Sequence, residues 1–367
     1  MTMERPIRIL QIVSFMHRRG LETLLMNCMR RIDRTQVQFD FIVHRPFRAD
    51  YDDEIEALGG KIHRLPRLNP FDPRYKKALR DFFREHPEYR IVHCHLDCMS
   101  ALPLAAAREA GVPVRIAHAH SSSQDKDLKY LLKRYYMKKI PAAATHFFAC
   151  SGEAGSWMFP GQSVRLIRNG IDTAAFAFDP ERRAVMRREL ELGDALTVGH
   201  VGRLIGVKNH DFLLDVFAQL HRSRPDAVLL LVGNGPLEEQ LREKAARLGI
   251  SGHIQFLGVR SDVPELMQAM DVFVLPSLYE GLGISAVEAQ AAGLPCLLSE
   301  NVPWECRMAE SAIFLPLEDP ALWAQEIQRC AALSRTADCS GIIRAGYDIT
   351  TTAAELQQFY LEHWHKI

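Results

Sequence analysis

The sequence lacks a long apolar stretch, an excess of charge of either sign and closely spaced cysteine pairs. No run reaches the about 18 apolar residues that a membrane-spanning helix requires. Lysine plus arginine number 45, as do aspartate plus glutamate, so no general positive field favours nucleic acid as a partner. The N-terminal residues lead into a strand-length run at 7–13 and do not resemble a signal peptide. We therefore expect a cytoplasmic protein.

The cysteine pattern argues against disulfide bonds. The eight cysteines are scattered, and most lie among apolar residues, as reduced buried thiols do. His93, Cys94, His95 and Cys98 are close enough in sequence to suggest a zinc site. Side chains that alternate along a strand point to opposite faces, however, which makes a four-ligand site from these residues unfavourable. We predict no bound metal.

Length and periodicity predict two α/β domains. The 367 residues, 47% of them hydrophobic, are enough for two cores, and no fixed-period repeat or low-complexity segment interrupts them. Short apolar runs alternate with helical segments throughout, which is typical of parallel sheets covered by helices on both faces. The predicted strands of the first set begin near residues 7, 39, 61, 91, 114, 145 and 164, and those of the second set near 197, 227, 254, 272 and 296.

The two predicted domains are 1–180 and 190–350, and the charged stretch after Asp172, up to Gly193, is predicted to be an irregular linker. A last amphipathic helix, which completes the first domain, is predicted within 352–367.

Residues 276–295 form the most informative segment. An apolar run of strand length precedes them, two glycines follow, and an alanine-rich helical stretch ends at Gly293. Glycines let a backbone approach a ligand, and the first amides of a helix suit a phosphate. Glu280 in the loop and Glu288 about one turn into the helix bracket this turn. Taken alone, a helix glutamate is more often a solvated surface residue.

The Glu280 and Glu288 pair, within Glu-Gly-Leu-Gly…Glu-Ala-Gln-Ala-Ala-Gly-Leu-Pro, resembles the nucleotide-sugar signature of the retaining GT-B glycosyltransferases often called family 4. Within that family the chain looks most like enzymes that build bacterial capsular or extracellular polysaccharide. The resemblance is dense over 164–298 and is carried by further motifs in the family's order: Asn169-Gly170-Ile171-Asp172, Gly202-Arg203-Leu204 with Lys208-Asn209, Gly233-Asn234-Gly235-Pro236, and Phe256-Leu257-Gly258.

The resemblance implies a fold and a reaction. The fold is GT-B, an α/β class with two doubly wound, Rossmann-like parallel-sheet domains that face a central cleft, and the terminal helix crosses back to the first domain. The reaction moves a sugar from a UDP- or GDP-sugar to a glycan or lipid-linked acceptor, with retained anomeric configuration. The family uses no Asp-x-Asp metal site, so we expect neither a metal nor another cofactor. A nucleotide-sugar epimerase of similar architecture and a non-catalytic nucleotide-sugar sensor are the alternatives.

The same resemblance assigns roles in the second domain. Arg203 and Lys208 contact the diphosphate, Glu288 binds the ribose hydroxyls and Glu280 binds the sugar hydroxyls. As isolated residues, Arg203 and Lys208 would equally suit solvated loop charges. The remaining nucleotide-sugar contacts are expected at Gly233, Asn234, Gly281, Leu282 and Gly283.

In the first domain the family places a glycine loop with a nearby glutamate beside the reacting sugar. Here Gly20 and Glu22 are kept, whereas Arg19 replaces the other glycine; an ordinary strand-to-helix turn is the alternative. The family also places a sugar-contacting histidine at a strand end that corresponds to His118 or His120. Strand-end histidines otherwise serve as structural hydrogen-bonding groups.

Residues 126–139 form a basic amphipathic segment in which lysines and arginine interleave with leucines and tyrosines. Such a face can lie on anionic lipid. A peripheral position on the inner face of the cell membrane would bring the enzyme to a lipid-linked acceptor. The alternative is a surface helix whose apolar side packs on its own domain.

Overall fold

The computed structural model describes residues 5–121 and 130–367. The chain divides into two compact units. Unit 1 comprises Met1–Gly170 and Ile349–Ile367, and unit 2 comprises Ile171–Asp348.

Unit 1 is built on a seven-stranded parallel sheet with the order β3-β2-β1-β4-β5-β6-β7. Strands β2 and β4 are buried along their whole length, as strands covered by helices on both faces must be. The strands are β1 (Ile7–Ile12), β2 (Val37–Val43), β3 (Ile62–Arg64), β4 (Ile91–Cys94), β5 (Val114–Ala119), β6 (His146–Ala149) and β7 (Val164–Leu166).

Two helices of unit 1 begin beside a side chain that accepts from one of their first amides. Asp72 accepts from the amide of Arg74 ahead of Pro73, and Ser151 accepts from that of Ala154. The helices are α1 (Gly20–Arg31), α2 (Asp52–Ala57), α3 (Pro73–Glu85), α4 (Ala101–Glu109), α5 (Tyr130–Met137), α6 (Ile140–Ala143) and α7 (Gly152–Met158), with a 3₁₀ turn at Asp97–Ser100.

Unit 2 contains a six-stranded parallel sheet with the order β10-β9-β8-β11-β12-β13. The strands are β8 (Thr197–Val201), β9 (Val228–Val232), β10 (Ile254–Gly258), β11 (Val272–Leu275), β12 (Cys296–Ser299) and β13 (Ala312–Leu315). The helices are α8 (Thr173–Phe176), α9 (Pro180–Glu189), α10 (His210–Ser223), α11 (Glu238–Arg247), α12 (Val263–Ala269), α13 (Ile284–Ala291), α14 (Pro320–Ala331) and α15 (Ser340–Arg344), with 3₁₀ turns at Gly206–Lys208, Ser251–His253 and Trp304–Cys306.

Both sheets reverse their strand order at the first strand. In unit 1, β1 lies between β2 and β4, and in unit 2, β8 lies between β9 and β11. Doubly wound sheets bind ligands beyond the carboxyl ends of the strands at such a reversal. Each unit therefore has one preferred edge for a site.

The chain ends in helix α16 (Ile349–Trp364), which belongs to unit 1. Its buried side chains, among them Leu356, Phe359 and Tyr360, pack in the same core as residues of β1, β2 and α1. No helix formed by the described residues is long and apolar enough to cross a bilayer.

The prediction of an irregular linker between Asp172 and Gly193 is wrong, because this stretch contains α8 and α9. Asp179 accepts from the amides of Glu181 and Arg182, with Pro180 at the first helical position. Residues 171–180, assigned from the sequence to the first domain, lie in unit 2. Helix α9 is held there by Arg183, which binds the carboxylate of Asp271 at 2.6 Å.

Candidate active site

Two loops of unit 2 meet at the carboxyl edge of its sheet. Lys208, in the loop after β8, places its Nζ 2.5 Å from Oε1 of Glu280, in the loop after β11. Ser277 donates to the same carboxylate oxygen at 2.6 Å, and the amide of Leu278 donates to the carbonyl of Val207 at 2.8 Å. Two motifs far apart in the sequence therefore form one site.

The cations of the loop after β8 differ in their surroundings. The Lys208 side chain is only 18% exposed and forms an ion pair with Glu280. Arg203 is exposed, and its guanidinium has no recorded hydrogen bond or ion pair with any residue that the structure describes. Arg203 is thus available to an anionic ligand.

Gly233 and Gly235 have a structural role in this edge. A Cβ at Gly233 would lie 2.1 Å from the carbonyl oxygen of Gly202, and one at Gly235 would lie 2.3 Å from that of Leu204. The amide of Leu204 donates to the carbonyl of Asn234 at 2.9 Å. The loop after β9 therefore supports the backbone that carries Arg203, while the Asn234 side chain remains exposed.

Glu288 lies on α13, one turn beyond the glycine loop, and is partly buried. Burial raises the pKa of its carboxyl to about 8, and no charge among the described residues offsets this effect. A carboxylate in this position gains from any ligand hydroxyl that donates to it. Gly281 and Leu282 beside it are partly exposed.

Gly283 immediately precedes α13 and has a φ of 82°, in the left-handed region that side chains rarely adopt. A Cβ there would also meet Leu275 at 3.2 Å. The glycine thus lets the loop turn sharply into the helix and leaves the first amides of α13 at the site edge.

In unit 1, Gly20 begins α1 and borders open space, since a Cβ there would meet no atom within 4 Å. The guanidinium of Arg19 lies over the ring of Phe15 at 4.6 Å and makes no side-chain cap to the helix. Glu22 is buried, and burial raises the pKa of its carboxyl to about 7. This turn therefore contains an accessible backbone position at Gly20, the cation of Arg19 and the buried carboxyl of Glu22.

Four histidines lie together at the carboxyl ends of β4 and β5. His93 Nε2 is 3.0 Å from His118 Nδ1, and His95 Nδ1 is 2.9 Å from His120 Nε2. Burial lowers the pKa of all four, that of His120 to about 3. We call His93, His95, His118 and His120 the histidine cluster. The sequence predicts only His118 and His120 as site residues; their pairing with His93 and His95 depends on β4 and β5 being neighbours.

Comparison with known proteins identifies the chain. The family model described as Glycosyltransferase Family 4 matches residues 18–175, and that described as Glycosyl transferases group 1 matches residues 182–329. EpsF of Bacillus subtilis (strain 168), which is named as a glycosyltransferase, is 38% identical over 345 residues, covering 89% of this chain and 88% of EpsF. The chain belongs to the family 4 glycosyltransferases.

Two further relatives extend this result. A GDP-mannose-dependent phosphatidylinositol monomannoside mannosyltransferase of Mycolicibacterium smegmatis is 37% identical over 312 residues, covering 70% of this chain and 78% of that protein. The capsular polysaccharide biosynthesis glycosyltransferase CapH of Staphylococcus aureus is 25% identical and covers 97% of this chain and 99% of its own. The predicted family is therefore confirmed.

The predicted GT-B fold class, with two Rossmann-like parallel-sheet units, is also confirmed. The crystal structure of Anabaena Alr3699/HepE in complex with UDP-glucose superposes with a TM-score of 0.80, covering 97% of this chain and 99% of that chain at 20% identity.

The histidine cluster of this family 4 chain also contains a group that could hold a metal ion. His93, His95 and His118 each offer a ring nitrogen, and these nitrogens lie within 4.8 Å of one another. Neutral imidazoles suit zinc and related divalent ions. The sequence pattern of His93, Cys94, His95 and Cys98 does not reveal this triad, because its members come from two neighbouring strands. Metal independence stays a prediction.

The basic segment of this glycosyltransferase is described only from residue 130 onward, so Lys126, Leu128 and Lys129 lie outside the described residues. In α5, Met137 is buried, whereas Leu131 is 79% exposed and Tyr135 is 52% exposed. The helix packs on unit 1 through one side and leaves two large apolar side chains in solvent.

Proposed function

We propose that this family 4 glycosyltransferase moves a sugar from a UDP- or GDP-sugar to a glycan or lipid-linked acceptor in bacterial polysaccharide biosynthesis. The observation that carries the proposal is the contact of Lys208 with Glu280 at the strand-order reversal of unit 2. It brings a cation and a carboxylate together at the edge where such sheets bind nucleotides.

The relatives support both the donor class and the pathway. EpsF, CapH and the mycobacterial mannosyltransferase cover most of this chain, and the names of the last two refer to capsular polysaccharide and to a lipid-linked acceptor. The Anabaena neighbour binds UDP-glucose, and the mycobacterial relative depends on GDP-mannose. A nucleoside diphosphate is therefore the shared donor chemistry.

The proposed donor site assigns one task to each group. Arg203, Lys208 and the first amides of α13 stabilise the departing diphosphate, so that no metal ion is required. Glu288 accepts from the ribose hydroxyls. Glu280 binds sugar hydroxyls and also orients Lys208 through their ion pair.

The proposed reaction retains the anomeric configuration. The acceptor attacks from the face that the nucleotide leaves, and neither Glu280 nor another carboxylate acts as a nucleophile. In unit 1, His118 contacts the transferred sugar.

A product assay tests the proposal. The protein is incubated with UDP- and GDP-sugars in excess chelator, with and without polyprenyl-diphosphate glycan acceptors, and products are followed by mass spectrometry and anomeric proton NMR. We expect an acceptor-dependent glycoside with the donor's configuration. Acceptor-independent conversion of the sugar would instead identify an epimerase, and donor binding without turnover would identify a sensor. Activity restored only by added Mg²⁺ or Mn²⁺ would contradict metal independence.

The exposed side of α5 provides the proposed contact with the membrane. Arg134, Lys138 and Lys139 are exposed beside Leu131 and Tyr135, and Lys139 Nζ lies 4.2 Å from the centre of the Tyr135 ring. Each cation near an anionic bilayer contributes about 1 kcal/mol, and a few apolar side chains add to this. The attachment would be weak, salt-sensitive and peripheral, on the inner face of the cell membrane.

A further inference from the structure

Six polar side chains in unit 1 form one continuous hydrogen-bonded chain that ends at His118 on one side and at His120 on the other. The histidine cluster supplies four of them, and Gln11 on β1 and Tyr360 on α16 supply the centre; both central side chains are fully buried. In order, the links are His118 Nδ1 to His93 Nε2 at 3.0 Å, His93 Nδ1 to Tyr360 Oη at 2.7 Å, Tyr360 Oη to Gln11 Nε2 at 3.3 Å, Gln11 Oε1 to His95 Nε2 at 2.9 Å, and His95 Nδ1 to His120 Nε2 at 2.9 Å.

Every ionisable member of this chain is neutral near pH 7. Burial is the largest cause of the lowered pKa of each histidine and also raises the pKa of the Tyr360 hydroxyl. A neutral imidazole carries one N–H donor and one acceptor nitrogen. Each ring must therefore donate through one nitrogen and accept through the other.

The side-chain amide of Gln11 sets the direction of the first half of the chain. Its Nε2 donates to the Tyr360 oxygen, and of the two neighbours of the Tyr360 hydroxyl in the chain only Nδ1 of His93 can accept its proton, so Tyr360 donates to His93. His93 then carries its proton on Nε2 and donates to Nδ1 of His118, which in turn carries its own proton on Nε2.

The same amide sets the second half. Gln11 Oε1 can only accept, so His95 donates from Nε2 and accepts at Nδ1. His120 fills that acceptor from its own Nε2–H. All four imidazoles consequently carry their proton on Nε2.

The two ends of the chain are chemically different. Among the described residues, His118 Nε2 and His120 Nδ1 are buried and have no hydrogen-bond partner. His118 ends in an N–H donor, whereas His120 ends in an acceptor nitrogen. A buried polar atom without a partner is costly, and a ligand with hydroxyl groups can satisfy both ends because a hydroxyl both accepts and donates.

We propose that Gln11 and Tyr360 are positioning residues that hold the whole histidine cluster in the Nε2–H tautomer, so that His118 donates to a sugar oxygen and His120 accepts from a sugar hydroxyl. The identity of the ligand rests on the proposed function, whereas the tautomers do not. Exchanging the nitrogen and oxygen of the Gln11 amide would move the proton of each of the four imidazoles from Nε2 to Nδ1. The orientation of this one side chain therefore decides which end of the chain donates and which accepts.

Histidine tautomers are measured directly in the ligand-free protein by ¹⁵N–¹H correlation NMR with ¹⁵N-labelled histidine, assigned with single histidine variants. We expect four Nε2–H signals from the cluster and no pH-dependent change between pH 6 and 8. Nδ1–H or mixed tautomers would overturn the proposal. One equivalent of bound divalent metal would also overturn it, because an ion among His93, His95 and His118 would take lone pairs that the links use.

Tyr360→Phe tests the coupling. It removes the donor to His93, so His93 and His118 should lose their single tautomer while His95 and His120 keep theirs. Tyr75→Phe is the matched control, because Tyr75 is also buried and its hydroxyl lies 2.9 Å from His44 Nε2 outside the chain. Unchanged tautomers in Tyr360→Phe would overturn the inference.

Gln11→Leu gives an independent test if Tyr360→Phe does not fold. It removes both the donor to Tyr360 and the acceptor from His95, so neither half of the chain keeps a fixed direction and all four histidines should lose their single Nε2–H tautomer. In either variant with a disturbed His118, kcat should fall about tenfold, the effect of one misdirected hydrogen bond, with KM for the nucleotide sugar little changed. Correct tautomers in a protein without transferase activity would refute the proposed function alone, whereas full activity with altered tautomers would refute the positioning role.

Discussion

Lys208 Nζ and Glu280 Oε1 lie 2.5 Å apart although 72 positions separate the two residues in sequence. The pair couples the two loops that follow β8 and β11, and both side chains are mostly buried, with exposures of 18% and 10%. A change at either residue therefore disturbs the other.

Lys208→Ala and Arg203→Ala should each lower kcat by about 10²-fold, the range for loss of one preorganised donor to a developing anion. Lys208→Ala should in addition weaken donor binding, because it leaves the Glu280 carboxylate without its cation. Steady-state kinetics with the donor that the product assay identifies measure both effects. Lys244→Ala is the matched control, since Lys244 is similarly covered, at 14% exposed, and forms ion pairs with Asp211 and Asp215. Near-normal kcat in Arg203→Ala would place the diphosphate elsewhere.

Nucleotide binding near pH 7 should release a proton from Glu288. In the free protein its pKa is about 8, so the carboxyl is mostly protonated, and ribose hydroxyls that donate to it favour the ionised form. Affinity should therefore rise from pH 6 to 8. Titration calorimetry of the nucleoside diphosphate in buffers of different ionisation enthalpy measures the proton count.

In the same titrations, Glu288→Gln should bind more weakly and release no proton. The exposed Glu239, changed to Gln, provides the control. If Glu288→Gln releases the same number of protons as the original protein, Glu288 is not the ribose ligand.

The protein should lose stability as the pH falls below about 6.5. In the histidine cluster the native pKa values are depressed, so the unfolded chain binds protons that the native state does not. Each such histidine lowers the free energy of unfolding by up to about 1.4 kcal/mol per pH unit. The raised pKa values of Glu22, Asp97 and Glu288 act in the opposite direction, but these groups are fewer than the four histidines.

Scanning calorimetry between pH 7.5 and 5 measures this dependence. His120→Gln should flatten the slope by about one histidine's share, whereas His365→Gln, at an exposed position, should leave it unchanged. Equal slopes in all three proteins would show that the cluster is protonated in the native state.

Anionic liposomes should sediment the protein at low salt and release it at high salt, because screening weakens surface attraction. Changing Lys129, Lys133, Arg134 and Lys138 to Glu should abolish sedimentation. The control reverses the same number of exposed cations on α3 of the same unit: Lys76, Lys77, Arg80 and Arg84. If both variants lose sedimentation equally, the binding depends on net charge and α5 is not a docking face.

The elements of the fold could be predicted because buried parallel strands are short apolar runs between glycine-containing turns. Strands β8 and β11 begin at the predicted residues, 197 and 272. Helix α9 was missed because its sequence is highly charged and has little apolar periodicity. It is held by arginine contacts to backbone carbonyls, such as Arg183 to Met270 at 2.8 Å, which no local pattern reveals.

The residues of the candidate site could be chosen from motifs, but their partners could not. The ion pair of Lys208 needs the order of β8 and β11, and the link from His93 to Tyr360 spans 267 positions. A ligand contact is predicted at Gly233 from its motif, but the sequence does not reveal that a Cβ at Gly233 or Gly235 would clash with the neighbouring backbone. Sequence spacing reports periodicity within an element and says little about contacts between distant elements.

Unit 1 can complete its core only after helix α16, at the end of the chain, has been synthesised. Leu356, Phe359 and Tyr360 fill a core that also contains Ile9 and Phe39 from the first strands. While the ribosome is still translating unit 2, that core lacks helix α16, and the apolar side chains that the helix covers are exposed on the nascent chain. The first unit to be synthesised is therefore the last to be completed, and a truncation of only the final 19 residues, Ile349–Ile367, should leave an aggregation-prone protein whose second unit can still fold.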